Sequence, residues 1–554
     1  MTPLPRPATA APRRALERHA PLLLVSVQLA VFALIYPRGD FPLADDWAYV
    51  HSVRWLLDEH RVRLSDWAGM NLLPQTLLGG MAAVLFGLSS ATLRCVTELV
   101  SVGVALATFR WFVTTGLGRR DAFVATLVVI ATPFWGMLAN SFMTDLYAML
   151  FAIPAATLYV TALSRPAWST IVLATLLAIA GVLERQVVAV IPAAFAVAWI
   201  ATARPLGVRG LCIAAAPLLA ATGAEYAYYT YLALGPGVPE GQLWLHGRVF
   251  TALHKMLVDE GGYRRWVISN IVTITGYLGL FVTPWALWVA PPASRTGRIA
   301  ALVGTAAIVA ATFAFDWWPP YRASNIVDAA GIGPFTLYDA LPRGLVALDR
   351  SPGVVWRIAG IGTALGIVTL GCTLWGAART LVGGRGPDRA LTWFVVTLLG
   401  GYLAPFVITD YFDRYLLFIL PFVLALMRRG PSNGLNARRI AALAWITGAI
   451  VLGGAATHDY FAWNRARWDA IGAAERLGAT PDTLDGGFEY NGLHRYEERP
   501  RDPRAGKSFW WVRDDRYVVA FSVPPGYVER QRFPVDRWLS RTPSAIYLVE
   551  REQH

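Results

Sequence analysis

Two adjacent carboxylates, Asp45 and Asp46, follow the first long apolar run of the chain, in the segment PRGDFPLADDWAYV. Paired acids beside an apolar segment are costly unless they meet a cation, a metal or a substrate. A carboxylate with ionised neighbours in half-apolar surroundings can act as a general base toward an acceptor hydroxyl or amine. The segment is equally compatible with a solvated loop start, so these two residues alone leave both interpretations open.

Further charged residues lie near the ends of later apolar runs. Asp145, in NSFMTDLYAML, is either a helix cap or a site residue. Arg185, in the LERQ break between two runs, either forms a salt bridge with Glu184 or faces a phosphate. Arg414, in TDYFDRYLLFILP, can hold an anionic headgroup or a pyrophosphate, because a guanidinium grips phosphate oxygens bidentately.

The loop 235–265 adds more cations, among them Arg264 and Arg265. Acids and arginines gathered on one face of a membrane would suit a site that holds a lipid phosphate and deprotonates an acceptor. Such a site requires that the elements carrying these residues all end on the same side. The arrangement of the apolar runs decides whether they do.

The composition is that of a membrane protein. Of the 554 residues, 55% are hydrophobic and only 16% are charged, and the mean hydropathy is +0.44. The positive residues behind the net charge of +12 lie in the loops between apolar runs, as the positive-inside rule predicts for a membrane protein. We therefore predict no nucleic-acid partner. Cys95, Cys212 and Cys372 lie inside apolar runs without metal-ligand spacing, which favours small buried hydrophobes.

Thirteen apolar runs are long enough, or nearly long enough, to cross the membrane. They are Pro21–Tyr36, Ala91–Thr115, Ala122–Leu138, Phe142–Ala162, Ala167–Leu183, Val187–Ala203, Gly210–Leu234, Trp266–Ala290, Ile299–Phe315, Gly353–Ala377, Ala390–Ile408, Tyr415–Met427 and Ile440–Thr457. Two points are weak, because the run that begins at Tyr415 is short and few residues separate the fifth run from the sixth. An error at either would invert everything downstream.

Arginines far outnumber acids in alternate loops, which places the N-terminus in the cytoplasm. We therefore expect a cytoplasmic basic segment (1–20), an all-α polytopic membrane domain (21–457) with a first extracytoplasmic loop (37–90), and an extracytoplasmic domain (458–554). A run over 72–88 within that loop is predicted to be interfacial or re-entrant. The preference for arginine over lysine is typical of a GC-rich bacterial genome, so we expect the bacterial inner membrane.

The last hundred residues are ordinary in polarity and predict a small α/β domain. NRARWDAIGAAERLG has a helical pattern, GGFEYNG is turn-rich, and RYVVAFSV and SAIYLVE are typical of strands. We interpret GGFEYNG as a structural turn, with an acceptor-binding turn as the alternative.

The charged segments together resemble those of the GT-C superfamily of membrane glycosyltransferases, in the branch of protein O-mannosyltransferases and the bacterial aminoarabinose transferase of lipid A. ADDWAY places Asp45, Asp46 and Tyr49 where that branch has an Asp-Glu-x-x-Tyr motif. Four other segments match in order: LFGLSSATLR with Phe86, Gly87 and Arg94, TDLYAMLFAIP with Asp145, LERQ with Arg185, and DRYLLFILP with Arg414, Tyr415 and Pro421. Asp46 replaces the usual Glu, and Glu184 stands where Thr is common.

This resemblance implies a GT-C fold and inverting transfer of a sugar from a polyprenyl-phosphate donor on the extracytoplasmic face. The acceptor, whether glycan, lipid or protein, does not carry over from either relative. The implied roles are catalytic for Asp45, Asp46 and Asp145, donor-phosphate binding for Arg185, Arg264, Arg265 and Arg414, and substrate binding for Tyr49 and Tyr415. Asp45 would be the base and Asp145 would orient its surroundings. No cofactor is predicted, and participation of a divalent metal is left open, since arginines can neutralise a phosphate leaving group themselves.

The main alternative of another class is a transporter or lipid flippase, which also has many helices and intramembrane charges. Such a protein is expected to have internal repeats and acids near mid-helix. Here no repeat is visible, and the acids cluster at the ends of apolar runs. A polysaccharide polymerase or ligase would share the donor chemistry, and a membrane scaffold would not depend on Asp45.

Overall fold

The computed structural model describes residues 10–202, 207–289, 295–314, 325–328, 331–340, 353–384, 386–427, 435–497, 511–539 and 543–552. These residues form a mostly helical structure with apolar helices and a small C-terminal sheet, which confirms the predicted fold class. The helices are α1 (Ala10–Ile35), α2 (Asp46–Glu59), α3 (Leu73–Phe86), α4 (Ser90–Thr114), α5 (Arg119–Ile130), α6 (Pro133–Ala139), α7 (Thr144–Ser164), α8 (Trp168–Glu184), α9 (Val190–Thr202), α10 (Val208–Leu234), α11 (Glu240–Val258), α12 (Tyr263–Trp288), α13 (Arg295–Ala314), α14 (Gly353–Gly383), α15 (Gly386–Ile408), α16 (Leu416–Leu426), α17 (Ala437–Arg476) and α18 (Phe488–Arg495).

Each of the thirteen predicted runs lies largely within a helix or a pair of helices. Within the described residues, seven helices are long and apolar enough to span a membrane, or eight if the pair α5 and α6, bent by 75°, counts as one broken span. The bend falls where Pro133 begins α6, because proline cannot continue the hydrogen bonds of α5. The shorter helices, such as the 11-residue α16, keep the count of thirteen a prediction.

Helix α7 lies in the middle of the bundle and packs against α4, α8, α9 and α15. Most of its side chains are buried, as expected for a helix that is apolar on every side. Its first turn, with Asp145, therefore lies deep between neighbouring helices. This placement leaves the Asp145 carboxylate only other protein groups, or a ligand, as partners.

The segment between α1 and α4 folds into two short helices. Helix α2 buries its first eight residues and leaves most of its second half exposed or half-buried, in line with its amphipathic pattern. Helix α3 is short and apolar, and it coincides with the run predicted to be interfacial or re-entrant. The Glu184 carboxylate accepts the backbone N–H of Gln75 at 2.9 Å and so satisfies an otherwise unpaired donor in the first turn of α3.

Beyond the membrane-spanning part, α17 continues as a single helix of 40 residues, so the predicted boundary at 458 falls inside a helix. Four strands follow: β3 (Leu484–Asp485), β4 (Tyr517–Ala520), β5 (Tyr527–Pro534) and β6 (Ala545–Arg551). Their order in the sheet is β3-β4-β6-β5, with β3 parallel to β4 and the other pairs antiparallel. A hairpin of β1 (Val327–Asp328) and β2 (Gly331–Ile332) packs against α17.

One local expectation for the tail is wrong, and one strand was missed. The segment predicted to be a turn, GGFEYNG, instead begins α18, and its Gly487, at φ +85°, precedes the first helical turn. Strand β5 was not predicted, because YVERQRFP is mostly exposed and charged and lacks a clear apolar alternation. The predicted strands RYVVAFSV and SAIYLVE contain β4 and β6, whose side chains are largely buried.

Candidate active site

Four charged side chains meet at one end of the helical bundle and form what we call the charged cluster: Asp45, Arg414, Asp145 and Arg185. Arg185 Nη1 lies 2.6 Å from Asp145 Oδ1. The second oxygen of Asp145, Oδ2, lies 3.7 Å from Arg414 Nε, and Arg414 Nη2 lies 3.7 Å from Asp45 Oδ2. The four side chains thus alternate in charge along a continuous line.

Asp145 enters the cluster because of its position in α7. The residue preceding the helix is Met143, which makes no side-chain cap, and Asp145 itself lies in the first turn. Its carboxylate pairs with Arg185 rather than capping backbone N–H groups, so the structure favours the site interpretation over the helix-cap one. A carboxylate at this end of the helix is also favoured by the helix dipole.

Both arginines follow interruptions in the helices. Helix α8 ends at Glu184, and Arg185 has an extended backbone before a short 3-10 helix. Arg414 belongs to another 3-10 turn, just before α16. The ring of Tyr415 lies 4.9 Å from the Arg185 guanidinium and 5.5 Å from that of Arg414, so one aromatic ring contacts both cations.

The cluster is buried, but its hydrogen bonds are incomplete. The side chains of Arg185, Asp145 and Arg414 are 5%, 6% and 7% exposed, whereas Asp45 is 21% exposed. Among the described residues, Nε of each arginine and Oδ2 of Asp145 have no hydrogen-bond partner. Buried polar groups in folded proteins rarely lack a hydrogen-bond partner. The cluster therefore has spare hydrogen-bonding capacity, and Asp45 is its most accessible member.

The loop that carries Asp45 is held by an arginine and a glutamate from distant elements. Arg94, buried on α4, donates to the carbonyls of four residues, those of Pro37, Gly39, Phe41 and Asn140. Glu489 of α18 accepts the backbone N–H of Ala44 at 3.2 Å. Ala44 adopts a φ of +50°, an unusual conformation for a residue with a side chain.

Glu489 is itself fixed by a buried network. It accepts hydrogen bonds from the Arg467 guanidinium at 2.6 Å and from the Thr336 hydroxyl at 2.8 Å. Both Glu489 and Arg467 are fully buried. The C-terminal part of the chain therefore helps to set the backbone immediately before Asp45. Sequence reasoning missed Glu489, because its partner Ala44 lies 445 residues away.

Two aromatic residues border Asp45. The indole N–H of Trp67 donates to Asp45 Oδ1 at 2.8 Å, a contact that no pattern in the sequence predicts. Tyr49, one turn along α2, is buried close to the cluster. Burial, aided by the Asp45 carboxylate, raises the pKa of Tyr49 above its ordinary value, so its phenol stays protonated.

Asp46 lies apart from the charged cluster although it adjoins Asp45 in sequence. Its carboxylate accepts the backbone N–H of Leu43 at 3.3 Å and lies near Arg94. Burial raises the pKa of Asp46 to about 7. The side chains of the two adjacent acids thus point in different directions. Asp45 faces the charged cluster, and Asp46 lies near Arg94, which holds the loop.

Arg264 and Arg265 are also not brought to the cluster by any contact described. The Arg264 guanidinium donates to the carbonyls of Met256 and Leu257 and thereby caps the end of α11, and Arg265 is exposed. A cation that the site prediction did not include, Arg248, pairs with Asp410 and stacks on Trp244 at 4.3 Å. The described residues contain no group of three or more His, Cys, Asp and Glu side chains that could hold a metal ion.

The fold and the cluster define a multi-pass membrane protein with an acid and arginine site at the ends of its helices. The chain matches no known family profile. It is 32% identical over 216 residues to the galactan 5-O-arabinofuranosyltransferase of Mycolicibacterium smegmatis, a match that covers 37% of this chain and only 30% of that protein. The chain thus spans less than a third of the length of that relative, whose name agrees with the glycosyltransferase class that the motifs resemble.

Solved structures give weaker likenesses. ArnT from Cupriavidus metallidurans in the apo state is 16% identical with a TM-score of 0.39, and 95% of this chain and 97% of that one are covered. The same protein bound to undecaprenyl phosphate is 15% identical with a TM-score of 0.38, and the coverage of both chains is the same. The apo oligosaccharyltransferase of Archaeoglobus fulgidus is 14% identical, with a TM-score of 0.42 and coverage of 82% and 57%. These TM-scores lie below 0.5, so the comparison with known proteins rests on the relative found by sequence identity.

Proposed function

We propose that this protein is an integral membrane glycosyltransferase that moves a sugar from a polyprenyl-phosphate donor to an acceptor hydroxyl. The observation that carries the proposal is the charged cluster, where the accessible carboxylate of Asp45 lies next to two buried arginines. Such a site provides a proton acceptor for the acceptor hydroxyl and cations for the leaving phosphate, which are the two groups that this reaction requires.

In the proposed reaction Asp45 takes the proton of the acceptor hydroxyl. The acceptor oxygen forms a bond to the anomeric carbon while the bond from that carbon to the donor phosphate oxygen breaks, with inversion of configuration. The electron pair leaves with the phosphate, so the products are the glycosylated acceptor and the polyprenyl phosphate. Asp45 suits the role of base because it is the most exposed member of the cluster.

Arg185 and Arg414 would bind the leaving phosphate. With Asp145 between them, the three side chains carry one net positive charge in a buried setting, where charge-assisted hydrogen bonds are strong. The Nε of Arg185, which has no hydrogen-bond partner among the described residues, leaves a donor for a phosphate oxygen, whereas the Nε of Arg414 faces Asp145. Asp145 would orient the two guanidiniums, and Tyr415 would support them through its ring. Arg264 and Arg265 have weaker support as phosphate ligands, because the contacts described place Arg264 at the end of α11 and because Arg265 is exposed.

The relative guides the choice of substrates. Because it is named for transfer of arabinofuranose to galactan, the first donor to test is a polyprenyl-phosphoryl arabinofuranose and the first acceptor a short galactan. We place the reaction at the extracytoplasmic face of a bacterial inner membrane, on the basis of the arginine bias of the alternate loops.

A lipid flippase or transporter is the alternative of a different class. It would bind a lipid phosphate at the same arginines but would release no sugar. The position of the acids at helix ends favours the enzyme, since transport sites lie near the middle of the bilayer. Sugar release therefore distinguishes the two functions.

The test uses membranes that contain the full-length protein, with labelled donor and a galactan acceptor. Asp45→Ala is expected to lower sugar transfer at least about 100-fold, the typical contribution of a positioned base. Asp145→Ala is also expected to lower transfer, because it removes the carboxylate that orients both arginines. Asp58→Ala, which removes an exposed acid of the same helix as Tyr49, is the matched control and is expected to leave transfer unchanged. Full activity of Asp45→Ala and Asp145→Ala would refute the proposal.

A further inference from the structure

Five aromatic side chains pack together beside Asp45 and form what we call the aromatic patch: Trp47, Trp67, Phe488, Tyr496 and Trp511. The ring centroids of Trp67 and Trp511 lie 5.7 Å apart, and those of Tyr496 and Trp511 lie 5.0 Å apart. Most of the pairs meet edge to face, the arrangement that aromatic quadrupoles favour. The patch joins the loop after α1 to the C-terminal part of the chain.

The patch has a buried base and an accessible rim. Trp47, Phe488 and Tyr496 are buried, and the approach of α18 to Trp47 requires Gly492, where a Cβ would lie 2.4 Å from the indole. Trp67 and Trp511 are instead half-buried, so part of each indole is open. The two open indoles are therefore held rigidly from beneath by the three buried rings.

The backbone at the rim is also unusual. Trp511 has a φ of +62°, a left-handed conformation that bulky residues rarely adopt. Backbone strain of this kind persists only where the surroundings impose it, and it concentrates at functional sites. Together with the packing of its ring, this indicates that the position of the Trp511 indole is strictly determined.

The patch is connected directly to the proposed base. Trp67 donates its indole N–H to Asp45 at 2.8 Å, so the open rim begins at the carboxylate that would deprotonate the acceptor. The polar groups beside it include the Ser65 hydroxyl, which donates to the Glu497 carboxylate at 3.0 Å. A partly exposed aromatic surface next to the Asp45 carboxylate suits a ligand with one apolar face and a polar edge.

We propose that the aromatic patch binds the acceptor, and that the acceptor is therefore a carbohydrate chain. A sugar ring has a face of C–H groups that packs on an indole, while its edge presents hydroxyls to hydrogen-bonding groups. Stacked on one of the two open indoles, whose planes are 80° apart, such a ring would lie beside Asp45 and could present a hydroxyl to it. This inference rests on the proposed transferase function and adds the residues that would bind a carbohydrate acceptor.

The test compares Trp511→Ala with Trp511→Tyr in the purified full-length protein. Loss of the ring is expected to raise the KM for a galactan oligosaccharide about tenfold, consistent with the energy of a stacked aromatic contact. The tyrosine variant keeps an aromatic face and is expected to restore most of the affinity. Binding of undecaprenyl phosphate is measured in the same preparations and is expected to stay unchanged.

Trp168→Ala is the matched control, because Trp168 is an exposed tryptophan at the far end of α8, roughly 25 Å along the helix from Arg185. An unchanged acceptor KM in Trp511→Ala would overturn the inference while leaving the transferase function intact. Equal losses of lipid binding and acceptor affinity would also overturn it, by assigning Trp511 to the packing of the whole site. Failure of the wild-type protein to transfer sugar to any acceptor would instead refute the proposed function.

Discussion

At the scale of single residues, the central feature is the line of alternating charges from Asp45 to Arg185. Asp145 accepts from Arg185 at 2.6 Å and lies 3.7 Å from Arg414, so one buried carboxylate orients two cations. The sequence made Asp45, Asp145, Arg185 and Arg414 candidates, and the structure brings these four together. It leaves Asp46, Arg264 and Arg265 elsewhere, since adjacency in sequence says little about side-chain direction.

Arg414 cannot be replaced by lysine in this account. A lysine would keep the charge but lose the planar fork that reaches Asp45 and Asp145 together. We expect Arg414→Lys to weaken binding of undecaprenyl phosphate to the purified protein by about 10-fold to 100-fold. Arg264→Lys serves as the control because the Arg264 side chain is exposed and its guanidinium bonds only carbonyls in the contacts described. Equal affinities for the two variants would contradict the assignment.

The buried Asp46 predicts a dependence of stability on pH. Burial raises its pKa in the folded protein from 3.8 to about 7, so the folded state favours the protonated acid. Its contribution to the free energy of unfolding is complete below about pH 4 and is lost as the pH rises toward 7. Asp46→Asn should therefore gain thermal stability relative to the wild-type protein between pH 5 and pH 7.5. A constant difference in melting temperature across this range would rule out the shifted acid.

At the scale of elements, breaks in helices create the site. The end of α8 at Glu184 and the turn before α16 place both arginines, and each break was visible in the sequence as LERQ and DRY between apolar runs. The supports of the Asp45 loop were not predictable in the same way. Glu489 and Trp67 reach it through contacts that depend on the folded arrangement of distant segments.

Glu489 is predicted to act as a positioning residue for Asp45. Glu489→Gln keeps an oxygen that can accept the Ala44 N–H but loses the ion pair with Arg467, whereas Glu489→Ala loses both contacts. We expect kcat for sugar transfer to fall in the order wild type, Gln, Ala, with undecaprenyl phosphate binding unchanged, because the arginines are held by other elements. The control is Glu475→Gln, an exposed acid on α17. A parallel loss of lipid binding would indicate a general structural role instead.

At the scale of the whole molecule, the apolar pattern predicted where helices form better than how many of them cross the membrane. Hydropathy does not reveal the 75° bend between α5 and α6, and it does not reveal that α17 runs from the bundle into the C-terminal part without a break. Both depend on packing against neighbouring elements. The prediction that the charged residues share one end of the bundle depended on the parity of the loops, and their contacts in the structure agree with it.

Orientation in the membrane can be tested with reporter fusions at Gly118, Gly384 and the C-terminus. Helix α4 begins beside the Asp45 loop and has 25 residues, so Gly118 lies roughly 35 Å or more from that end. We expect Gly118 and Gly384 to report the cytoplasm and the C-terminus to report the opposite side. A C-terminus on the same side of the membrane as Gly118 would contradict the proposal that the charged cluster lies at the extracytoplasmic face.

The most direct test of the central claim is the single-turnover rate of sugar transfer with labelled donor already bound to the protein in proteoliposomes. Asp45→Asn keeps an oxygen for the Trp67 N–H but cannot accept the acceptor proton at neutral pH. We predict that this variant retains donor binding and transfers sugar at least about 100-fold more slowly than the wild-type protein. Transfer at the wild-type rate by Asp45→Asn would contradict the account.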